Sequence, residues 1–312
     1  MARVLCPCMV EIPQDDTSLA SEVGGRWHKD SVLEFSDAGR DSFCLLAVQG
    51  SLGEFQMELT LDGSLIAHYH SERQIARVLT EDWIARNMYC PHCGNERIHH
   101  FANNKPVADF YCPSCGNQYE LKSKTGKLGR KINDGAYTTM IERITGNDNP
   151  DFLFMNYSRG ALLVTDLIFI PKHFLVPDII ERRKPLPPTA ERAGWVGCNI
   201  LINQIPEQGR IEIVSHGTVV DRERVINQVS RSGLLSTGNI SARGWLLDVL
   251  KCVNRIQTQI FSLEEMYRFE NELRRKYPQN NNIRPKIRQQ LQFLRDRGFI
   301  EFLGNGTYRK VV

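Results

Sequence analysis

The sequence predicts a mixed α/β domain that carries an inserted four-cysteine zinc ribbon, followed by a small C-terminal winged helix-turn-helix domain. Two observations support this prediction. Two CxxC pairs stand among alternating helical and strand-like segments, and from residue 241 onward three helical segments precede a two-stranded ending. The 312 residues are enough for two ordinary domains.

The composition is typical of a soluble globular protein, with 41% hydrophobic and 24% charged residues. The longest apolar stretch, residues 161–171, is interrupted by Thr165 and Asp166 and falls short of the ~18 residues that span a bilayer. The N-terminus lacks the basic region and long apolar run of a secretory signal. We therefore expect a cytoplasmic protein.

The overall charge of +3 is unevenly distributed. Residues 1–56 hold four basic and nine acidic residues, a net charge of −5, so the remainder carries +8. A basic body favours a polyanionic partner, although the signal is weak by itself.

Residues 1–56 show no sustained periodicity of hydrophobic residues. We expect a disordered extension, a small hairpin within 32–48, or a leader translated upstream of a true start at Met57.

From residue 71 onward, the hydrophobic pattern predicts the elements of the α/β domain. Helices are predicted at residues 72–87, 133–144 and, capped by Asp221, from about 222 to 232. Strands are predicted at residues 106–112 and 117–122, with hairpins formed by 152–157 and 162–170 and by 210–214 and 218–220. The Pro-rich residues 171–208 are predicted to be irregular apart from a turn of helix near Ile179. A linker rich in Ser and Gly follows at 232–241.

Four cysteines have the spacing of a zinc ribbon: CxxC, eighteen intervening residues, then CxxC. They are Cys90, Cys93, Cys112 and Cys115. Gly94 and Gly116 each follow the second cysteine of a pair, where a tight turn is needed. The alternatives are four free buried cysteines or a redox dithiol. Four protein ligands would leave no open position, so we expect a structural Zn²⁺. We expect His92, His99 and His100 to be exposed loop residues rather than ligands.

Two carboxylates and a lysine lie within this ribbon region. Glu120 and Lys122 share one face of a predicted strand, and Asp109 lies on the preceding strand. Carboxylate oxygens suit Mg²⁺, which would activate water for phosphodiester cleavage. This is the logic of a PD-(D/E)XK nuclease core, with a degenerate Pro-Asp element at residues 106–109. The alternative is an ordinary ion pair on a solvated strand.

The C-terminal region is the most basic part of the chain, with fourteen basic and seven acidic residues from 241 to 312. Helices are predicted at residues 241–256, 262–276 and 283–297, and wing strands at 300–303 and 307–311. The third helix would read base edges in the major groove with Arg284, Lys286, Arg288, Gln289 and Gln290. In the wing, Arg309 and Lys310 would lie near phosphates. The alternative is a basic, solvated helix of a protein-binding winged helix.

Trp195 stands in a Gly-flanked loop and could stack on a base or a methyl group. On the sequence alone, a core position is the more common outcome for such a tryptophan.

These features together resemble the DpnI family of methyl-directed restriction endonucleases, over a nearly collinear stretch from about Met57 to the C-terminus. The resemblance is carried by residues 80–83, 89–95, 104–112, 119–124, 132–137, 193–195, 266–270 and 286–291.

The resemblance implies a bacterial type II nuclease that cleaves double-stranded DNA at GATC containing N6-methyladenine, and that binds it as a monomer. It implies a nuclease domain at 57–238 and a winged-helix domain at 241–312, both sensing the methylated site. The implied catalytic residues are Asp109, Glu120 and Lys122, with Mg²⁺ held by Asp109, Glu120 and the Leu121 backbone carbonyl. Trp195 becomes a candidate for contacting the methyl group. Residues 1–56 depart from the family pattern.

Two further functions stay open from the sequence. A non-enzymatic regulator made of a zinc ribbon and a winged helix would explain the cysteines and the basic helix equally well, but not the strand with Glu120 and Lys122. A nuclease of different target, such as unmethylated or hemimethylated sites, is also compatible with the residues.

Overall fold

The computed structural model describes residues 57–101, 108–127, 129–146 and 148–311. The expectations for residues 1–56 therefore lie outside the described residues. The described part forms a mixed α/β structure around a seven-stranded sheet, with a helix-turn-helix region at its C-terminal end.

The helices are α1 (Glu72–Asn87), α2 (Tyr137–Thr145), α3 (Arg222–Gly233), α4 (Ile240–Arg255), α5 (Leu263–Tyr267), α6 (Glu270–Lys276) and α7 (Ile283–Asp296). The strands are β1 (His99–His100), β2 (Phe110–Tyr111), β3 (Gln118–Thr125), β4 (Ile132–Ala136), β5 (Asp151–Ser158), β6 (Leu163–Ile170), β7 (Ile180–Arg182), β8 (Gly197–Ile200), β9 (Ile211–Ser215), β10 (Thr218–Val219), β11 (Ile260–Ser262), β12 (Ile300–Gly304) and β13 (Thr307–Lys310).

The central sheet has the strand order β1-β2-β3-β5-β6-β9-β10. Only β3 and β5 run parallel; the other neighbours pair antiparallel. Strand β5 is buried on both faces because its side chains alternate between two hydrophobic clusters. Leu153 and Met155 pack on the side of α1 and α3, whereas Phe152 and Phe154 pack on the side of α2 and the C-terminal helices.

A second sheet was missed by the sequence analysis. It has the order β4-β8-β7 and occupies segments predicted as the start of a helix and as irregular chain. The predicted helix at 133–144 is wrong in its first turn. Residues Ile132–Ala136 form β4 because β8 supplies backbone partners for them, and the helix starts only at Tyr137. Tertiary pairing here overrides the local helical pattern.

Most of the other predicted elements agree with the structure. The helices at 72–87 and 222–232 are confirmed, as are the hairpins β5–β6 and β9–β10. Asp221 caps α3 by accepting a hydrogen bond from the Arg224 N–H at 2.8 Å. The predicted strand 106–112 is observed only as Phe110–Tyr111, and residues 102–107 lie outside the described part.

The C-terminal region is a winged helix with one correction. The predicted helix at 262–276 is two helices, α5 and α6, that break at Arg268 and Phe269. Ser262 begins α5 with a reciprocal capping box to Glu265. A strand, β11, joins the two wing strands in a sheet of order β11-β13-β12.

The C-terminal helices share one continuous hydrophobic cluster with one face of the central sheet. Polar contacts reinforce it: Gln208 and Asn254 exchange hydrogen bonds at 2.9 and 3.3 Å, and Arg231 donates to the carbonyls of Gly298 and Val311. Leu235, in the predicted linker, is fully buried. Among the residues that the structure describes, no helix is long and apolar enough to cross a membrane.

Candidate active site and zinc site

The four cysteines of the predicted ribbon converge. Their Sγ atoms all lie within 4.8 Å of one another, with 3.5 Å between Cys90 and Cys115 and 3.6 Å between Cys93 and Cys112. A tetrahedral zinc site with Zn–S bonds of ~2.3 Å requires neighbouring sulfurs about 3.8 Å apart. The donor set and its spacing therefore fit Zn²⁺, and four thiolates would close the coordination shell.

Two equivalent turns hold these cysteines. The N–H of Gly94 donates to the Cys90 carbonyl and the N–H of Gly116 to the Cys112 carbonyl, each at 2.9 Å. Both glycines have φ near +73°, at +72° and +74°, a conformation that strains residues with a Cβ. The repeated geometry explains why a glycine follows each CxxC pair.

The ribbon is tied to the central sheet by hydrogen bonds. The Tyr119 hydroxyl lies 3.0 Å from Cys90 Sγ, and His92 Nε2 lies 2.7 Å from the buried carboxylate of Asp151 on β5. The expectation that His92 is an exposed loop residue is wrong, because its ring is half-buried against the sheet. His99 and His100 are exposed but lie on β1 rather than in a loop.

The predicted nuclease residues lie on β3 or are hydrogen-bonded to its backbone. Asp109 Oδ2 accepts a hydrogen bond from the Leu121 N–H at 2.8 Å, and the Asp109 N–H donates to the Tyr119 carbonyl at 2.9 Å. Since the N–H and C=O of an extended residue point to the same side of a strand, the Leu121 carbonyl also faces Asp109. Glu120 and Lys122, one residue to either side, are joined by an ion pair of 2.5 Å.

Two further residues belong to this cluster and were not predicted from the sequence. Asp134 Oδ1 on β4 lies 2.5 Å from Lys122 Nζ, and Arg143 NH1 on α2 lies 3.6 Å from Glu120 Oε2. Both come from segments distant in sequence from β3, so no local spacing could reveal them. Gly135 within the predicted helix was the one available sign that Asp134 stands in a strand.

Burial controls the electrostatics of this cluster. Loss of solvent raises the pKa of Glu120, although Lys122 and Arg143 oppose the shift. Burial alone would lower the pKa of Lys122, but the carboxylates of Glu120 and Asp134 outweigh it and raise that pKa. Glu120 Oε2 is buried without a hydrogen-bond partner among the described residues. This oxygen faces Arg143 at 3.6 Å without a hydrogen bond, and carboxylate and carbonyl oxygens of this kind suit a hard divalent cation such as Mg²⁺.

Trp195 lies in neither hydrophobic cluster of the described residues and is half-buried. Its indole packs on Gly197 so closely that a Cβ there would meet ring atoms at 2.8 Å. The guanidinium of Arg192 lies 4.7 Å from the ring centroid, over its face. The core position that the sequence favours is therefore not observed.

Four of the five predicted reading residues lie on the solvent side of α7, and one does not. Arg284, Arg288 and Gln289 are exposed and Lys286 is partly exposed. Gln290 is only 6% exposed, because it lies on the same side of the helix as Leu294 and Ile287. The prediction that Gln290 reads bases is corrected on this ground.

Neighbouring side chains orient the exposed residues of α7. Arg284 Nε donates to Glu270 at 2.6 Å, Arg288 donates to the Tyr267 hydroxyl at 2.7 Å, and Lys286 Nζ lies 2.8 Å from Gln289 Oε1. In the wing, Arg309 pairs with Glu301 and is exposed. Lys310 is partly buried and donates a hydrogen bond to the Ile256 carbonyl.

Comparison with known families agrees with the architecture. A DpnI family model, described as the Dam-replacing family, matches residues 57–238, and a model of the Dam-replacing HTH domain matches residues 241–310. The chain belongs to the DpnI family. Membership indicates a restriction nuclease that acts on DNA and binds it with a helix-turn-helix domain.

Proposed function

We propose that this DpnI family member is a methyl-directed type II restriction endonuclease. Its substrate would be double-stranded DNA at GATC sites containing N6-methyladenine, hydrolysed with Mg²⁺ as catalytic cofactor. The observation that carries the proposal is the bond from Asp109 to the Leu121 backbone, next in sequence to the Glu120–Lys122 ion pair on β3, in a chain of a DNA-cleaving family.

Each member of this cluster has a chemical task in the proposal. Asp109, Glu120 and the Leu121 carbonyl supply the oxygen ligands that Mg²⁺ prefers. When bound, the metal would neutralise charge on the scissile phosphate and lower the pKa of a coordinated water. Lys122 holds the attacking water and stabilises the negative charge that develops on the phosphate.

DNA reaches this cluster beside a basic segment. Lys124, Lys127 and Arg130 follow the nuclease residues in sequence and are exposed, and none pairs with a carboxylate in the described part of the chain. Cations in such a position suit backbone phosphates. We assign methyl recognition in the first domain to Trp195, and base reading in the second to Arg284, Lys286, Arg288 and Gln289, with Arg309 and Lys310 near phosphates.

The function is tested by digesting one plasmid, prepared with and without adenine methylation at GATC, in the presence of Mg²⁺. Cleavage of the methylated plasmid alone is expected. Cleavage of both preparations would keep the nuclease and overturn the methyl specificity. Cleavage of neither, by folded protein with zinc bound, would favour a non-enzymatic zinc-ribbon and winged-helix regulator.

Two matched variants secure the interpretation. Glu120→Gln and Lys122→Met should lose cleavage yet keep their affinity for methylated duplex, because each removes a charge without adding bulk. Asp248→Asn, which alters a buried carboxylate of α4 that pairs with Lys251 and Lys276, should retain cleavage.

Light scattering of the complex with a one-site duplex tests the proposed monomer. The proposed site of action is the bacterial cytoplasm.

A further inference from the structure

Asp134 is the one residue of the nuclease cluster that comes from the second sheet. It lies on β4, where it pairs with Cys198 of β8, while its carboxylate reaches across to Lys122 of β3. The side chain is only 3% exposed, and the Oδ1–Nζ distance is 2.5 Å. A buried carboxylate is costly unless it is paired, so this contact accounts for the position of Asp134.

The geometry gives the two carboxylates around Lys122 different duties. Glu120 faces Lys122 and Arg143, and it belongs to the proposed metal ligands. Asp134 forms an ion pair with Lys122 alone among the described residues. A lysine ammonium has three N–H donors. Two carboxylates occupy two of them, and the third is left for a water or a phosphate oxygen.

We propose that Asp134 is a positioning residue for Lys122, an inference that rests on the proposed nuclease function. Once a metal engages Glu120, that carboxylate binds Lys122 less strongly. Asp134 then holds Nζ in place from the opposite side and keeps its third donor directed at the reacting groups. Asp134 thus acts through Lys122 and does not itself touch the metal or the DNA.

The test is single-turnover cleavage of a methylated GATC duplex by the full chain at saturating Mg²⁺. Asp134→Asn should slow cleavage about 10- to 100-fold, the usual cost of removing an orienting partner. Affinity for the duplex, measured with Ca²⁺ in place of Mg²⁺, should stay unchanged. Asp134→Glu, which restores the charge, should recover most of the rate. Should Asp134→Asn fail to fold, Asp134→Ser replaces it in every comparison.

A double-mutant comparison separates positioning from an independent role. In the Lys122→Met background, Asp134→Asn should slow cleavage no further. An equal factor in both backgrounds would identify an independent role, such as metal binding, and overturn the inference. If the cleavage rate of Lys122→Met is too low to measure, Asp134→Glu takes the place of this comparison. Recovery of most of the rate by Asp134→Glu supports the inference, and no recovery overturns it.

Stability and the proposed function are controlled separately. Asp248→Asn removes another buried carboxylate that holds lysines, so equal slowing by Asp134→Asn and Asp248→Asn would mean a structural effect and overturn the inference. Unchanged cleavage by Asp134→Asn would also overturn it. Full activity of Glu120→Gln and Lys122→Met would instead refute the proposed function itself.

Discussion

The carboxylate of Asp109 accepts a hydrogen bond from the backbone N–H of Leu121 at 2.8 Å, across the open edge of β3. This bond holds Asp109 on the side of β3 to which the Leu121 carbonyl also points. A backbone hydrogen bond within the protein therefore fixes the position of Asp109, one of the proposed metal ligands.

Asp109→Asn tests the need for the charge at this position. Asparagine retains an oxygen that accepts from the Leu121 N–H, so the fold should persist, but a proposed metal ligand loses its negative charge. We expect single-turnover cleavage to fall by roughly three orders of magnitude, because metal-assisted stabilisation contributes several kcal/mol. DNA affinity should change less than about threefold, because contacts with backbone phosphates supply most of it. Cleavage within tenfold of wild type would remove Asp109 from the proposed site.

Removal of zinc is expected to unfold the ribbon, and not only to abolish DNA cleavage. Structural zinc sites couple metal binding to folding. Cys112→Ser should lower zinc content, measured by atomic emission, and reduce protection from proteolysis around residues 90–116. Added Mg²⁺ should not restore activity. A variant that lacks zinc but keeps its melting temperature and its cleavage rate would contradict a structural role. Cys252→Ser, at a buried cysteine outside the cluster, is the matched control.

The close contact of Trp195 with Gly197 provides a test of the proposed methyl recognition. Gly197→Ala places a Cβ at 2.8 Å from ring atoms, so the indole must move. We expect a reduced ratio of cleavage on methylated over unmethylated duplex, and the same direction for Trp195→Ala. Because Trp195 is only half-buried, Trp195→Ala should change the melting temperature little. An unchanged ratio in both variants would exclude this loop from methyl recognition.

The residues of β3 show what the sequence could predict. Glu120 and Lys122 share a face because of strand periodicity, and the cysteine spacing indicates a zinc ribbon by itself, so both clusters could be found without coordinates. Asp134 could not, because its place depends on β8, which lies more than sixty residues further along the chain. Local patterns carry no information on such long-range pairing.

In the third helix of the winged domain, α7, the position of a residue in the helical period decides whether its side chain is buried. The apolar residues of this helix, Ile287, Leu291 and Leu294, recur at helical spacing and are buried in the core. Gln290 was wrongly assigned to the DNA side because a polar side chain was equated with exposure. Its position one turn before Leu294 puts it on the buried face.

Burial of Gln290 predicts a contrast within α7. Arg288→Ala should weaken binding to methylated duplex about tenfold, since a base contact is worth roughly 1–3 kcal/mol. Gln290→Ala should leave affinity unchanged and lower the free energy of unfolding by about 1 kcal/mol. Fluorescence anisotropy and chemical denaturation measure the two quantities. A larger loss of affinity in Gln290→Ala than in Arg288→Ala would return Gln290 to the DNA surface.

His173 predicts how the stability of the fold depends on pH. Its ring is buried, and Nε2–H donates to the Ser232 carbonyl at 2.8 Å, near the end of α3. Burial lowers the pKa of His173 from 6.5 to about 4. At a pH between these two pKa values, His173 is protonated in the unfolded chain but not in the folded protein. Stability from this residue is therefore fully present above pH 6.5 and is lost as the pH falls toward 4.

The full loss corresponds to about 3 kcal/mol, at roughly 1.4 kcal/mol for each pKa unit. His173→Gln keeps an N–H donor without a titrating ring, so its free energy of unfolding should decline less between pH 6.5 and pH 4.5. The difference from wild type cancels the protonation of other groups. His216→Gln, at a side chain that is 93% exposed, serves as the control because folding buries little of it. Equal declines in wild type and His173→Gln, measured by urea denaturation, would show that His173 is protonated in the folded protein.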